Sequence, residues 1–338
     1  MNLMTKNNNQ FEAEERFYSE LFYLSYSGLN KLLYSPRVFY KQYVMGVKEE
    51  KLNVHLVEGK VVHCLILEEG QFHNQFMIIP SKVPEGNPKI IMDSIWAKAK
   101  NEKIEALELG HFQEEILEMM VKLNYYQALK TDVQRIDKIL SEENIAYYQF
   151  LQKQTTKTLI SSETYEKCLE MTDEVTSDES AIKSLYHGNV DTNVDIHSEH
   201  YLTTKLEQYA FYLKGFLDRL VIDRSKRLIR VCDFKTTAKP IDKFKETIEF
   251  FRYNNQAAIY TELVQKFNQD LHPDDQWKIE FHFTVIDLFK QVYVFEVSPA
   301  TMIHWNALLH NDLEKFNWHY VNKKYNLPYE LAKEKVIL

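Results

Sequence analysis

Two apolar runs, residues 211–222 and 228–234, constrain the fold of this chain more than any other feature of its sequence. Both are rich in β-branched and aromatic residues, and the polar segment 223–226 separates them. Such a pair predicts a β-hairpin. Apolar residues occur at both odd and even positions of each run, which is typical of strands that are buried on both faces.

The ionisable residues of this hairpin are expected to share one face. An even-length turn centred in the polar segment predicts that Asp218 lies opposite Val231. Because strand side chains alternate, Asp218, Asp233 and Lys235 then point to the same side, with the two carboxylates as diagonal neighbours. Two carboxylates supply the oxygen ligands that divalent cations prefer. A nearby ammonium can hold an attacking water or offset charge that builds on a phosphate.

Structural ion pairs are the alternative interpretation, with Asp218 bound to Arg219 or Arg230 and Asp233 bound to a lysine. For an isolated Asp-x-Lys sequence this alternative is favoured. Here a Gly-x-x-Asp sequence ends at Asp218 on the preceding strand, and two threonines follow Lys235. This context favours a metal site, since unpaired buried carboxylates are costly without a cation.

Strand and helix patterns alternate around the hairpin. A second hairpin is predicted over residues 281–287 and 291–297, and helices are predicted over 250–267 and from 300 to about 321. This order indicates an α/β or α+β core.

The domain organisation is predicted as a flexible N-terminal leader, residues 1–20, followed by a single domain over residues 21–338. Residues from about 93 to 187 show an almost entirely helical pattern, which predicts a large helical insertion. With 338 residues, of which 45% are hydrophobic, the chain is not mainly disordered. The sequence contains no apolar run near the roughly 18 residues of a membrane span, and residues 1–15 do not resemble a secretory signal. A cytoplasmic protein without a membrane partner is expected.

The net charge of −8 argues, taken alone, against a nucleic-acid partner. Its distribution changes that conclusion. Residues 214–245 contain ten Lys or Arg and four Asp, whereas residues 161–200 contain ten Asp or Glu and two Lys. A phosphate backbone can be attracted to the first segment while the acidic segment faces elsewhere. DNA is therefore compatible with this composition.

Four motifs in order resemble the PD-(D/E)xK nuclease superfamily, in its RecB-like branch. They are Gly-Lys-Val-Val-His ending at His63, Gly-Phe-Leu-Asp-Arg around Asp218, Asp-Phe-Lys-Thr-Thr from Asp233, and Gln-Ala-Ala-Ile-Tyr from Gln256 to Tyr260. The segments that begin at residues 26 and 62 resemble exonuclease VIII catalytic domains of the RecE type. The similarity covers about residues 20–325. It implies the α/β fold of PD-(D/E)xK nucleases, with a central mixed β-sheet flanked by helices.

The resemblance implies metal ligation by His63, Asp218 and Asp233, to which the carbonyl of Phe234 can be added, and it makes Lys235 the catalytic lysine. Mg²⁺ is the expected cofactor, and Mn²⁺ can substitute for it. Three scattered cysteines cannot build a four-cysteine iron–sulfur site, so no such cluster is expected.

Gln256, Tyr260 and Glu199 are further candidates, and each also has a structural interpretation. Gln256 and Tyr260 lie four residues apart on one helix face, and they are expected to contact the scissile strand or to support Lys235. Glu199 is a candidate for a supporting acidic residue, although a solvated loop is the favoured interpretation. Without its motif, His63 would be interpreted as a histidine of the core.

The activity that the resemblance implies is a Mg²⁺-dependent exonuclease acting on the ends of double-stranded DNA. A 5′-to-3′ direction, a ring-shaped homo-oligomer, a single-strand annealing partner and a phage-type role in recombination or repair follow from the same resemblance. One alternative is a RecB-like repair nuclease that cuts single strands or flaps. Another is a catalytically silent DNA-binding module, which is disfavoured because all four motifs are intact.

Overall fold

The computed structural model describes residues 12–47, 54–68, 70–80, 82–104, 108–153, 157–188, 192–275 and 277–333. The chain divides into two compact units, residues 1–68 with 171–338 and residues 69–170. The prediction of a single domain with an insertion over about 93–187 stays a prediction. Among the described helices, none has the length and apolarity that crossing a membrane requires.

The helices and strands are numbered in chain order. They are α1 (12–19), β1 (Tyr23–Leu24), α2 (Tyr26–Tyr34), α3 (Pro36–Phe39), α4 (Val54–Leu67), α5 (Phe72–Gln75), β2 (Phe76–Ile78), α6 (Asn87–Asn101), α7 (Gln113–Lys122), α8 (Asp132–Ile139), α9 (Glu142–Lys153), β3 (Thr158–Ile160), α10 (Ser162–Ser177), α11 (Glu179–Tyr186), β4 (Val194–Lys205), β5 (Tyr212–Asp223), β6 (Leu228–Thr237), α12 (Phe244–Phe251), α13 (Tyr253–Leu271), β7 (Lys278–Asp287), β8 (Val292–Glu296), α14 (Pro299–Asn322) and α15 (Tyr329–Lys333). A π-helical turn, Tyr40–Val44, continues α3.

The larger unit is built on a six-stranded mixed sheet in which β5, β6, β7 and β8 are neighbours in that order. Strand β4 pairs antiparallel with β5, β1 pairs parallel with β5, and β6 pairs parallel with β7. Helix α13 packs against β4, β5 and β7, while α11 packs against β5, β7 and β8. The predicted central mixed sheet flanked by helices is confirmed.

The two faces of the sheet are distinguished by side chains of β6. Ile229 and Val231 belong to the main hydrophobic core, which also contains residues of α13. Cys232 points the other way, and its thiol donates to the carbonyl oxygen of Ser184 in α11 at 3.0 Å. By the alternation of strand side chains, Asp233 and Lys235 lie on the α13 side.

The predicted pairing within the β5–β6 hairpin is wrong by two residues. Leu220, and not Asp218, lies opposite Val231. The turn begins one residue later than predicted because Asp223 remains in the strand, where its carboxylate accepts the backbone N–H of Lys226 at 3.0 Å. A capped turn of this kind is a property of local side-chain chemistry, which the apolar pattern does not show.

Strand β4 has no counterpart among the predicted strands. Its exposed side chains are Ile196 and Ser198 before Glu199, but Tyr201 and Thr203 after it. The alternation changes phase at Glu199, whose φ of 47° lies in the left-handed region. Because a strand is recognised in sequence by uninterrupted alternation, this change of phase hides β4. The favoured expectation of a solvated loop at Glu199 is wrong.

Part of the segment predicted as a leader is helical, since residues 12–19 form α1. The ring of Phe17 packs edge-on against those of Phe39 and Tyr320, with centroids 6.5 and 6.0 Å apart. An aromatic residue within a polar segment anchors the helix to the core of this unit. Residues 1–11 lie outside the described residues.

The smaller unit is mainly helical, as predicted for this part of the chain. Its core lies among α6, α7 and α9, with Ile91, Met92 and Tyr148 almost completely buried. The helical prediction missed β3, which pairs in parallel with β2 from Thr158↔Phe76 to Ile160↔Ile78. A strand of three residues is too short to show its own periodicity.

We expect the stability of the larger unit to fall in acid because of His282. Its Nδ1 lies 3.1 Å from Ser184 Oγ, and burial together with the charge of Arg230 lowers the pKa of His282 to about 4. The unfolded chain, with a histidine pKa near 6.5, binds more protons between these values, so stability is lost as the pH falls through that window.

The measurement is the free energy of unfolding in urea at pH 7 and pH 4. The wild type is expected to lose roughly 3 kcal/mol more than His282→Asn over this interval. The exposed His304→Asn controls for removal of a histidine as such. Equal pH dependence of wild type and His282→Asn would contradict the prediction.

Candidate active site

The candidate site lies where the sheet divides. One edge of β5 pairs with β1 at Tyr212 and Leu213, and with β6 only from Arg219 onwards. Between these points, among the described residues, no strand pairs with that edge of β5. A cavity of about 480 Å³ opens there, lined by Ser25, Tyr26, Ser27, His63, Glu199, Lys214, Gly215, Phe216, Asp218, Lys235, Tyr253, Gln256 and Tyr260.

Asp218 stands at the point where β5 and β6 separate. The last pair of the ladder is Arg219 with Cys232, so Asp218 is the first residue of β5 beyond it. Its Oδ2 accepts the backbone N–H of Phe234 at 2.8 Å, which links the two strands through a side chain. Arg219 turns away from Asp218, and its guanidinium donates to the carbonyl oxygen of Ile66 at 3.1 Å. The structural ion pair of Asp218 with Arg219 is therefore not formed.

Three groups converge in the cavity from three elements. His63 Nε2, on α4, lies 3.4 Å from Asp218 Oδ2 and 3.5 Å from Glu199 Oε1. One ligand atom from each residue lies within 4.8 Å of the others. Glu199 reaches this cluster from β4, directly across from Asp218 in the β4–β5 register. An imidazole and two carboxylates are a typical donor set for a divalent cation.

The helix that carries His63 is held from both sides. A Cβ at Gly59 would lie 2.8 Å from Thr236 Oγ1, so only glycine allows α4 to approach β6 this closely. At the end of the helix, the carbonyl oxygen of Ile66 accepts hydrogen bonds from Tyr186 Oη at 2.9 Å and from Arg219. The close approach of α4 to β6 at Gly59 thus explains why the Gly-x-x-x-His motif begins with glycine.

Replacing Gly59 with alanine is expected to displace α4 from β6, and with it His63. Overpacking of this kind typically costs about 1–3 kcal/mol of stability. Divalent-metal affinity should fall at the same time, because the imidazole moves relative to the two carboxylates. Calorimetric titration with Mn²⁺ and thermal unfolding measure both effects. Gly110→Ala is the control, since a Cβ there meets nothing within 4 Å. Wild-type metal affinity in Gly59→Ala would refute this account of the motif.

A second group of polar residues lies beside the first. Asp233 is completely buried; its Oδ1 accepts from Gln256 Nε2 at 2.9 Å, and its Oδ2 contacts the ammonium of Lys235. Gln256 also donates to Tyr260 Oη at 3.0 Å. The ammonium of Lys235 lies 5.0 Å from the ring centroid of Tyr253, within cation–π range. Each member of the group is positioned by another.

A family model of the PD-(D/E)XK nuclease superfamily matches residues 23–317. The chain belongs to this superfamily. A solved structure from Eubacterium rectale, titled provisionally as an exonuclease, is similar with 10% sequence identity and a TM-score of 0.44, over 100% of this chain and 94% of that one. No curated protein matches the chain.

The charges of this nuclease's site favour a cation. Burial and the charge of Asp218 raise the pKa of Glu199 to about 7, and burial raises that of Asp233 to about 7. Burial lowers the pKa of Lys235, but Asp233 and Asp218 outweigh it and raise the value to about 12. Burial lowers the pKa of His63, but its hydrogen bond to Asp218 and the charges of Asp218 and Glu199 together outweigh burial and raise the pKa. Two carboxylates, those of Asp233 and Asp218, thus act on one lysine.

The residues present fit the divalent metal ion that PD-(D/E)XK nucleases use. Glu199 Oε1 is buried and accepts no hydrogen bond from any residue in the described part of the chain. Leaving a buried carboxylate oxygen in that state is costly, and a cation held by His63, Asp218 and Glu199 would remove the cost.

The structure brings together most of the residues that the sequence singled out. His63 and Asp218 contact each other, while Asp233 lies against Lys235 and Gln256. The predicted ligation by Asp233 and by the carbonyl of Phe234 stays a prediction, and the group of donors near His63 contains Glu199 in addition to Asp218. In the sequence, Glu199 was indicated by its acidic side chain and by its place before the predicted strand that carries Asp218.

The positive segment 214–245 is largely neutralised. Most of its Lys and Arg side chains pair with carboxylates, as Arg224 does with Asp195 and Arg227 with Asp275 at 3.1 Å. Lys214 differs from these, since no carboxylate pairs with it among the described residues, and it lines the cavity. Attraction of a phosphate to this nuclease therefore depends on the positions of individual charged side chains, such as Lys214, more than on the summed charge of the segment.

Proposed function

We propose that this nuclease is a Mg²⁺-dependent exonuclease that hydrolyses phosphodiester bonds at the ends of double-stranded DNA. One observation carries the proposal: a metal-type donor set of His63, Glu199 and Asp218 shares a cavity with Lys235, whose side chain is 14% exposed. Family membership supports DNA hydrolysis.

A divalent cation at this site would lower the pKa of a bound water and offset charge on a phosphate oxygen. The chain's own residues supply positioning. Lys235 carries a positive charge that the adjacent carboxylates stabilise, and this charge lies where the phosphate would enter. Asp233 and the ring of Tyr253 orient the ammonium, and Gln256 in turn fixes Asp233. Such prearranged charge is a large contributor to catalysis.

The finer assignments are proposals that rest on the RecE-type resemblance of the sequence. They comprise the 5′-to-3′ direction, a ring-shaped homo-oligomer, a single-strand annealing partner and a role in phage-type recombination or repair. A cytoplasmic location belongs with them. The RecE-type assignment itself is supported by the segments that begin at residues 26 and 62.

Strand-specific digestion tests the proposal. Linear duplexes labelled at the 5′ or 3′ end of one strand, single strands and closed circles are incubated with Mg²⁺ and the purified protein. Loss of label from duplex ends, with circles intact, is expected. Cutting of closed circles would contradict an obligate exonuclease, and preference for single strands or flaps would favour a RecB-like repair nuclease. No cleavage with Mg²⁺ or Mn²⁺ would indicate a silent DNA-binding module.

A further inference from the structure

An exposed aromatic pair lies at the rim of the candidate site. Tyr201 of β4 and Phe216 of β5 are direct partners in the strand register. Their ring centroids are 4.8 Å apart with an interplanar angle of 42°. Both are accessible to solvent, with 47% and 54% of their surfaces exposed. Large aromatic side chains that remain this exposed beside a cavity are candidates for ligand contact.

The aromatic pair lies close, along both strands, to the metal-type cluster of His63, Glu199 and Asp218. Tyr201 follows Glu199 by two residues, and Phe216 precedes Asp218 by two. Phe216 lines the same cavity as Asp218, so it forms part of the wall that a bound phosphodiester would face. Two residues of a strand span about 7 Å, which is within the reach of one nucleotide from its phosphate to its base.

A positively charged side chain lies close to this pair on the same strand, β5. Lys214 lies two residues before Phe216, lines the cavity, and forms no ion pair in the part of the chain that the structure describes. The order along β5 is thus ammonium, aromatic ring and carboxylate. Single-strand binding sites combine the first two, because lysines contact the backbone while aromatic rings stack on bases.

A purely structural role explains this pair less well. Cross-strand aromatic pairs stabilise sheets, but the contribution is small when both rings are exposed. The buried aromatic residues of this unit, such as Phe211 and Phe283, lie in the hydrophobic core instead. Tyr293 on β8 shows that an exposed tyrosine also occurs on the other edge of the sheet, away from the cavity lining.

We propose that Phe216 and Tyr201 form a stacking platform for an unpaired base of the DNA strand that is being cut, with Lys214 contacting a neighbouring phosphate. This inference rests on the proposed DNA nuclease function and adds a substrate requirement to it. The strand enters the site unpaired, and the base next to the scissile phosphate leaves its neighbours to stack on Phe216.

Binding of fluorescent single-stranded oligonucleotides, measured in EDTA so that no cutting occurs, tests the platform. Phe216→Ala and Tyr201→Ala are expected to weaken binding roughly 5- to 100-fold, the usual effect of removing a stacking aromatic residue. Phe216→Tyr should restore binding. Tyr293→Ala is the matched control, because it removes a comparably exposed tyrosine (56%) from the opposite edge strand. Thermal unfolding identifies any variant that fails to fold.

A second arm changes the DNA. Oligonucleotides with single abasic positions are bound to the wild type, and loss of the stacked base should weaken binding while Phe216→Ala abolishes this discrimination. Equal affinity for intact and abasic strands would overturn the platform. Cleavage of duplex ends with Mg²⁺ is measured separately. Base-dependent binding without cleavage would overturn the proposed nuclease function alone, and cleavage without base dependence would overturn the platform alone.

Discussion

Replacing Lys235 with methionine should lower the rate of DNA cleavage about 10²–10³-fold, the usual effect of removing one group that stabilises charge in a transition state. The side chain of Lys235 is 14% exposed, and Lys235 is the one lysine that contacts Asp233 among the described residues. Methionine retains most of the side-chain volume, so the ring of Tyr253 keeps a neighbour. The effect should therefore appear in kcat more than in DNA affinity.

Loss of the lysine also leaves the carboxylate of Asp233 buried without its partner, which lowers stability. Single-turnover cleavage is therefore compared at a temperature well below the melting point of each variant. Lys239→Met is the matched control, since Lys239 is exposed and its pair with Glu246, at 3.2 Å, lies on the surface. A Lys235→Met protein that cuts at more than about a tenth of the wild-type rate would exclude Lys235 from the chemistry.

The second large effect is expected from Asp218→Asn. The amide keeps the shape of the side chain, and its oxygen can still accept the N–H of Phe234. The charge that His63 and a cation would share is lost. We expect Mn²⁺ affinity, measured by calorimetry, to fall at least 10-fold and cleavage to fall by about 10² or more.

The control for this change is Asp195→Asn, which removes a partly exposed carboxylate from the neighbouring strand, where it pairs with Arg224. If Asp218→Asn binds Mn²⁺ as tightly as the wild type, Asp218 is not a ligand. Glu199→Gln provides a further comparison, because a loss of Mn²⁺ affinity there would assign the third donor. Wild-type metal binding by Glu199→Gln would limit that residue to a structural role.

The sequence predicts those residues of the site whose placement follows from a local alternation of side chains along a strand. Asp218, Asp233 and Lys235 follow from two apolar strands and their alternation, which tertiary packing does not change. Glu199 does not follow in the same way, because its left-handed backbone shifts the alternation of β4 and hides the strand. Strained backbone of this kind often occurs at functional sites.

The register of the β5–β6 hairpin illustrates a second limit. Asp223 caps the turn and moves the pairing by two residues, an even number that leaves each side chain on its predicted face. The grouping of the charged residues is therefore independent of the exact register. The separation of the strands beyond Arg219, which creates the cavity, depends on β1 and on α4, and no local pattern encodes it.

The hydrogen bonds at the end of α4 have a consequence for metal binding. Ile66, one turn after His63, is held through its carbonyl oxygen by Tyr186 and Arg219, and Arg219 is the immediate neighbour of Asp218. Imidazole and carboxylate are thus set at their mutual distance by one rigid connection within the folded chain. A preorganised pair pays little conformational entropy when a ligand arrives. Tyr186, which does not line the cavity, can therefore tune metal affinity from outside it.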